Sequence, residues 1–326
     1  MFKKILLTSL LIAAATGLVA QNADARSLAE IQSSGKLLVG TTGGYKPMSY
    51  LNKQTGKYEG FDAEMAASLA KKLGVKLEYV PTTWKTLQAD TLAGKFDVAM
   101  CGITVTDARK QVMAMSDPYL TFGKTILVTK TKAGQFKSLA DVNKPSVRVM
   151  YNPGGTNEKF AKESTPKAQL IMHEQNAEIP GLVGEGKADV MITETMEAVR
   201  YVKDNPKVAA PLVDKPFTEN HFGVLMTKDH PDLLKAVNDW MAGIKADGTM
   251  TKWENQYIKE SARSQLRQGC FGTRRTPCAQ RESDVPPGRQ ISRPERGAKL
   301  RKFRSQRCRW TPFIKQGRKA SLSGLF

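Results

Sequence analysis

Short apolar strands that run directly into glycine- and threonine-rich loops recur along this chain, and helices follow them. Leu37-Leu38-Val39-Gly40 leads into Thr41-Thr42-Gly43-Gly44, and residues 96–100 lead into Cys101-Gly102-Ile103-Thr104. Farther on, Val147-Arg148-Val149-Met150 leads into Asn152-Pro153-Gly154-Gly155-Thr156, and residues 189–193 lead into Glu194. Phe61, Met65, Leu69 and Leu73 stand four apart, which predicts one helical face, and Gly74 stops that helix. Helical patterns also cover residues 84–92, start near Asn157, cover 179–184 and start near Glu194, while residues 76–80 and 169–172 alternate as strands. A hairpin is expected over 52–60, a strand over 222–226, and an amphipathic helix over 231–246 with Leu234, Val237, Met241 and Ile244 on one face. Alternating strands and helices imply parallel sheets covered by helices. The pattern runs through twice, so the expected class is α/β with two lobes. In such lobes ligands meet the carboxyl ends of the strands, which places the site in the cleft between them.

The ends of the chain read differently. Lys3 and Lys4 precede an apolar stretch over residues 5–20, and Ala23-Asp24-Ala25 offers a small-x-small cleavage pattern. Residues 1–25 are expected to be a secretory signal peptide, since the stretch is short for a membrane anchor and holds Thr8, Ser9, Thr16 and Gly17. The expected product is a soluble protein of the periplasm.

The formal net charge of +19 is concentrated at the far end. Residues 261–326 hold 17 Lys and Arg against 3 Asp and Glu, whereas residues 27–260 hold 30 against 27. The tail has 13 Arg and 4 Lys, while the body has only three Arg among its basic residues. With no apolar period and many Pro, Gly and Ser, the tail is expected to stay disordered. Nucleic acid is not an expected partner of an exported chain. The expected division is therefore a leader, a first lobe from 26–125 and 215–260, a second lobe from 126–214, and the tail. Cys101 is the body's one cysteine, so no internal disulfide is possible there. No cluster of His, Cys or carboxylates has metal-ligand spacing, and no metal or cofactor is expected.

Several residues invite a chemical reading beside a plainer one. Arg109 follows a buried strand in a body that otherwise prefers Lys, which suits a bidentate grip on a carboxylate, or an ordinary surface ion pair. Gly154-Gly155-Thr156 joins a strand to a helix, which suits an anion at the helix start or a tight turn capped by Thr156. Glu158 is a general acid if enclosed, or a first-turn carboxylate favoured by the helix dipole. Glu194 accepts a ligand ammonium or caps a helix. Tyr45 and Trp84 stack on a ligand or belong to the core.

Residues 27–259 resemble the polar amino-acid type of periplasmic solute-binding proteins. The resemblance rests on Gly43-Gly44-Tyr45-Lys46-Pro47, Gly60-Phe61-Asp62, Gly94-Lys95-Phe96-Asp97, Thr104 to Arg109, and Ser116-Asp117-Pro118-Tyr119. It implies that Arg109 and Thr156 hold a ligand α-carboxylate and that Glu194, usually Asp in this family, meets its amine. Within the fold, Thr41-Thr42-Gly43, Val80-Pro81-Thr82 with Trp84, Gly123-Lys124-Thr125 and above all NPGGTNEKF at residues 152–160 resemble the cyclohexadienyl dehydratases. That group implies loss of water and carbon dioxide from prephenate or arogenate, with Glu158 matched to the acid. The ligand contacts it implies are Tyr45, Trp84, Gly102, Thr104, Arg109, Lys124, Gly155, Thr156, Asn157 and Glu194. The alternative is an amino-acid-binding component that hands its ligand to an ABC-transporter permease.

Truncation after Glu260 is expected to leave the melting temperature and ligand binding unchanged. A large drop in melting temperature would mean that the basic tail packs on the body.

Overall fold

The computed structural model describes residues 25–259; the expected leader and the basic tail lie outside the described residues. Two five-stranded sheets organise the chain. The first runs in the order Lys76–Pro81, Lys36–Thr41, Val98–Ala99, Leu225–Met226 and Ala114–Met115. The second runs Gln169–Met172, Arg148–Tyr151, Val190–Glu194, Lys124–Thr129 and Val208–Ala209. In each, the first three strands are parallel with the earliest in the middle, and the fourth is antiparallel. The same strand order in both explains why the sequence pattern reads through twice. It also brings the ends of Lys36–Thr41, Val98–Ala99, Arg148–Tyr151 and Val190–Glu194, with their loops, toward one cleft.

Helix formation follows the apolar spacing. Phe61–Leu73 buries Phe61, Met65 and Leu69 completely, one above another at intervals of four. Gly74 ends this helix in the left-handed conformation, φ 74°, and its N–H satisfies carbonyls of the last turn. Pro231–Ala246 packs on the same core through Leu233, Val237, Trp240, Met241 and Ile244. Its buried face therefore includes Leu233 and the large Trp240 ring, and Leu234 is only partly covered.

Two further expectations change. Helix begins at Leu87 rather than at residue 84, because the Thr83 carbonyl and hydroxyl bind Thr86 N–H and form a turn that presents Trp84. Residues 222–226 do not form one strand. Asn220–Phe222 pairs antiparallel with Leu120–Phe122, while Leu225–Met226 enters the first sheet, so the chain changes partners at Gly223 and Val224. A side chain at Gly223 would come within 2.9 Å of Val105.

The two-stranded ribbon of Leu120–Phe122 and Asn220–Phe222 lies where the chain passes from the first sheet to the second and back. Phe122 and Phe222 stack there with ring centroids 3.9 Å apart, and both are buried. A paired crossing of this kind lets two lobes rotate about a few backbone torsions.

The structure holds the lobes together. Gly154, φ 82°, approaches the backbone of Lys85 so closely that a β-carbon would sit 2.4 Å from its Cα. Gly154→Ala adds both left-handed strain and this clash, and the clash exists only when the lobes meet. The expected result is ligand affinity weaker by about tenfold or more with a change in melting temperature of a few degrees. Titration calorimetry and a thermal melt check it.

Candidate functional site

The second lobe supplies a buried ion pair at the heart of the cleft. Lys124 opens the strand Lys124–Thr129 and Glu194 ends Val190–Glu194, and the antiparallel register sets them opposite each other. Both side chains are almost fully buried, and the Lys124 ammonium binds the Glu194 carboxylate directly. The same ammonium donates to Thr156 Oγ1 at 2.8 Å and Asn157 Oδ1 at 2.5 Å. Three acceptors thus saturate its three N–H bonds. Burial lowers the Lys124 pKa, and the neighbouring Glu194 opposes that shift.

These partners come from the loop and helix after Arg148–Tyr151. The helix Thr156–Ser164 has Gly155 at its N-cap position, with no side-chain cap. Thr156 is the first helical residue rather than the cap, because its hydroxyl is engaged by Lys124 and lies 3.4 Å from Thr104 Oγ1 of the first lobe. Glu194 occupies the N-cap position of Thr195–Asp204 but makes no capping bond there, since its carboxylate turns to the cleft.

The first lobe closes over this pair with Tyr45. Its hydroxyl donates to Glu194 Oε2 at 3.0 Å, and its ring meets Trp84 edge-on at 5.9 Å. Gly102, φ 72°, makes room for it: a β-carbon there would lie 2.3 Å from the Tyr45 ring. The Gly102 N–H donates to Asp62. Asp62 also accepts the Tyr119 hydroxyl at 2.9 Å, and burial pushes its carboxyl up to about 7.

Together these groups line a small pocket in the cleft that opens to solvent. Tyr45, Trp84, Gly102, Thr104, Gly155, Thr156, Asn157 and Glu194, all singled out from the sequence, line it. Asn152 and Asn176 line it too and were missed. Asn152 lies in a loop already read as Gly-rich, but Asn176 sits in a polar stretch with no distinguishing signal. Lys124 acts just behind the wall through its three acceptors.

Arg109 and Glu158 stand outside the cavity lining. Arg109 lies on Asp107–Val112 and donates to the Thr104 carbonyl at 2.7 Å. Among the described residues no carboxylate pairs with it, so its remaining N–H bonds are available to an anion at Thr104. Burial lowers its pKa, which an anionic partner would offset.

Glu158 corrects the sequence reading. Its carboxylate is partly exposed, accepts the Gly154 N–H at 2.7 Å and pairs with Lys162 at 2.6 Å. The Lys162 ammonium first, and then the Gly154 N–H, hold its pKa below the usual range. Glu158 differs from Glu194 in lying outside the cavity lining and in being partly exposed, whereas a general acid needs an enclosed place beside the reacting group. Glu194 is the one carboxylate on the cavity wall among the described residues.

Removing one member of a buried pair strands the other. Lys124→Met is expected to cost about 3–5 kcal/mol of folding stability. Lys162→Met, which breaks only the exposed Glu158 pair, is expected to leave folding stability nearly unchanged. Urea unfolding of the two variants checks the contrast.

Comparison with known proteins agrees with this geometry. The chain is 37% identical over 232 residues to a cyclohexadienyl dehydratase of Pseudomonas aeruginosa, covering 71% of this chain and 86% of that protein. It is 31% identical over 229 residues to an L-cystine-binding protein of Escherichia coli, covering 70% and 84%. A crystal structure of an ancestral amino-acid-binding protein, described as a precursor of cyclohexadienyl dehydratase, is 43% identical. It superposes with a TM-score of 0.67 over 71% of this chain and 99% of that one. An arginine-bound transporter substrate-binding protein of Streptococcus pneumoniae is 28% identical, with a TM-score of 0.66 over 71% and 98%. The model of the bacterial extracellular solute-binding proteins, family 3, matches residues 37–260, and this chain belongs to that family.

Proposed function

We propose that this chain is a cyclohexadienyl dehydratase, acting in the periplasm on prephenate or arogenate. The observation that carries the reading is the buried Lys124–Glu194 pair. An amino-acid receptor needs a carboxylate ready to take the ligand's ammonium. Here the chain's own ammonium already occupies that place, held by Thr156 and Asn157 as well. A ligand ammonium would have to displace it.

An anionic cyclohexadienyl acid makes a different demand. Its carboxylates suit Arg109, behind Thr104, and the hydroxyl and N–H groups at the start of Thr156–Ser164. In this reading Glu194, the carboxyl group on the pocket wall, carries the proton to be transferred. The proton then passes from Glu194 to the ring hydroxyl oxygen as the carbon–oxygen bond breaks and water leaves. The bond to the ring carboxylate breaks as well, carbon dioxide departs, and the released electron pair completes the aromatic ring. Glu194 is left as the carboxylate, paired with Lys124, and is reprotonated from solvent when the lobes part. Tyr45 and Trp84 close the cavity against bulk water, which strengthens these electrostatic effects.

The second reading is a receptor that delivers an amino acid to an ABC-transporter permease. Arg109 favours it, because a guanidinium without a carboxylate partner suits an α-carboxylate equally in a receptor. Its fold and hinge would serve both functions.

Incubation of the purified protein with prephenate, followed by phenylpyruvate formation, separates the two. Glu194→Gln is expected to lower turnover by about 10²-fold or more, as for a lost general acid. Glu158→Gln is expected to stay within about threefold of wild type, since a partly exposed ion pair contributes little. Absence of turnover in wild type, with a thermal shift on adding one of the twenty amino acids, would favour the receptor. Full loss of activity in Glu158→Gln with none in Glu194→Gln would return the acid to Glu158.

A further inference from the structure

Asn176 faces the cavity from the short turn Asn176–Glu178 of the second lobe. Its residue is 7% exposed. The amide nitrogen Nδ2 donates to Glu197 Oε1 at 2.7 Å, and it also reaches the Gly44 carbonyl of the first lobe at 3.5 Å. Both partners are acceptors. They fix which end of the amide is nitrogen, and so they turn the carbonyl oxygen Oδ1 the other way.

Oδ1 is buried and has no hydrogen-bond partner among the described residues. Asn176 lines both the pocket that holds Glu194 and a second, neighbouring pocket bounded by Thr82, Lys85 and Glu174. Asn176 thus belongs to the pocket wall, and its buried carbonyl oxygen needs a donor that the described residues do not supply.

Glu197 is what keeps this arrangement. It is fully buried in the first turn of Thr195–Asp204, one helical turn after Glu194. Its second oxygen, Oε2, is bound to the Thr193 hydroxyl. Burial and the charge of Glu194 push its pKa upward. A proton on Oε2 can be donated to Thr193 Oγ1, which leaves Oε1 an acceptor. Asn176 is therefore oriented in the same way whether Glu197 is charged or neutral.

We infer that Asn176 Oδ1 is the cleft's acceptor for an N–H or O–H group of the bound substrate, and that Glu197 is the positioning residue that aims it. The inference rests on the dehydratase reading for the identity of the donor. A cyclohexadienyl acid offers two. The ring hydroxyl is present in prephenate and arogenate alike, and its own hydrogen needs an acceptor while Glu194 protonates its oxygen. The side-chain ammonium is present in arogenate alone.

Steady-state kinetics of Asn176→Leu with both substrates distinguishes these sources. If the hydroxyl is the donor, kcat falls about tenfold or more for both substrates with KM nearly unchanged. If the ammonium is the donor, KM for arogenate rises about tenfold and prephenate is unaffected, as expected for one lost hydrogen bond to a charged group. Glu197→Gln should reproduce the same pattern at smaller size. Asn176→Ser, too short to reach the same point, replaces the leucine variant if that one does not fold. Unchanged kinetics with both substrates overturns the inference. So does an equal rise in KM for both with kcat intact, which would mark Asn176 as a simple latch on Gly44.

Failure of the dehydratase reading shows separately, as a wild type inert toward both substrates. The acceptor is then read from binding, using the amino acid that gives the largest thermal shift and its 2-oxo counterpart. The Kd of the amino acid divided by that of its 2-oxo counterpart should rise about tenfold in Asn176→Leu if the ammonium was bound there, and an unchanged ratio overturns the inference. A wild type that neither turns over nor binds any of these overturns both.

Discussion

A lysine and a glutamate, both removed from water and set opposite each other on neighbouring strands, govern the rest of this site. Taking either charge out of water alone would cost several kcal/mol, so each is tolerable only because the other is present and because further polar groups complete its bonds. That requirement reaches outward. Lys124 needs Thr156 and Asn157 as well as Glu194, so the helix that begins at Thr156 must lie against the strand that begins at Lys124. Glu194 also accepts from Tyr45, which belongs to the other lobe. The pair therefore ties together two strands, one helix start and the closure of the cleft.

The first lobe meets this demand with glycines and a buried acid. Gly102 is where Tyr45 lies closest, and the backbone it leaves bare is anchored by Asp62. Asp62 is held in turn by Tyr119, just before the hinge ribbon. The arrangement runs from hinge to ligand loop through groups that are all buried. Small displacements at one end are thus transmitted by contacts that cannot relax into solvent.

Among the relatives of this chain are proteins named as receptors and one named as a dehydratase, and in the proposed reading the two uses differ in what the cleft carboxylate is offered. A free carboxylate takes an ammonium from a ligand. A carboxylate already neutralised by an internal lysine is left with proton chemistry once an anionic ligand arrives. Glu194 differs from Glu158 in its burial, its lysine and its neighbour Glu197, none of which is legible in a linear reading. Glu158 sits in the more specific motif but meets Lys162 at the edge of the cleft.

The sequence by itself determined the repeated strand–loop–helix order, and with it the α/β class. It also identified most of the residues that line the cleft, because a strand that ends in glycine and threonine announces a loop close to a ligand. The spacing of Phe61, Met65 and Leu69 sufficed for the longest helix of the first half, since helical periodicity is a local property. Only the tertiary structure decided which acid faces the cavity. Burial and pairing depend on residues far along the chain: Lys124 meets Asn157, 33 positions away, and Glu194, 70 positions away. The split of residues 222–226 between two sheets was likewise invisible, because an apolar run looks the same whether its partner is the hinge or the lobe. Asn176 had no local signal at all. Its orientation comes from Glu197 and from a carbonyl of the opposite lobe, which are brought together only when the chain folds and the cleft closes.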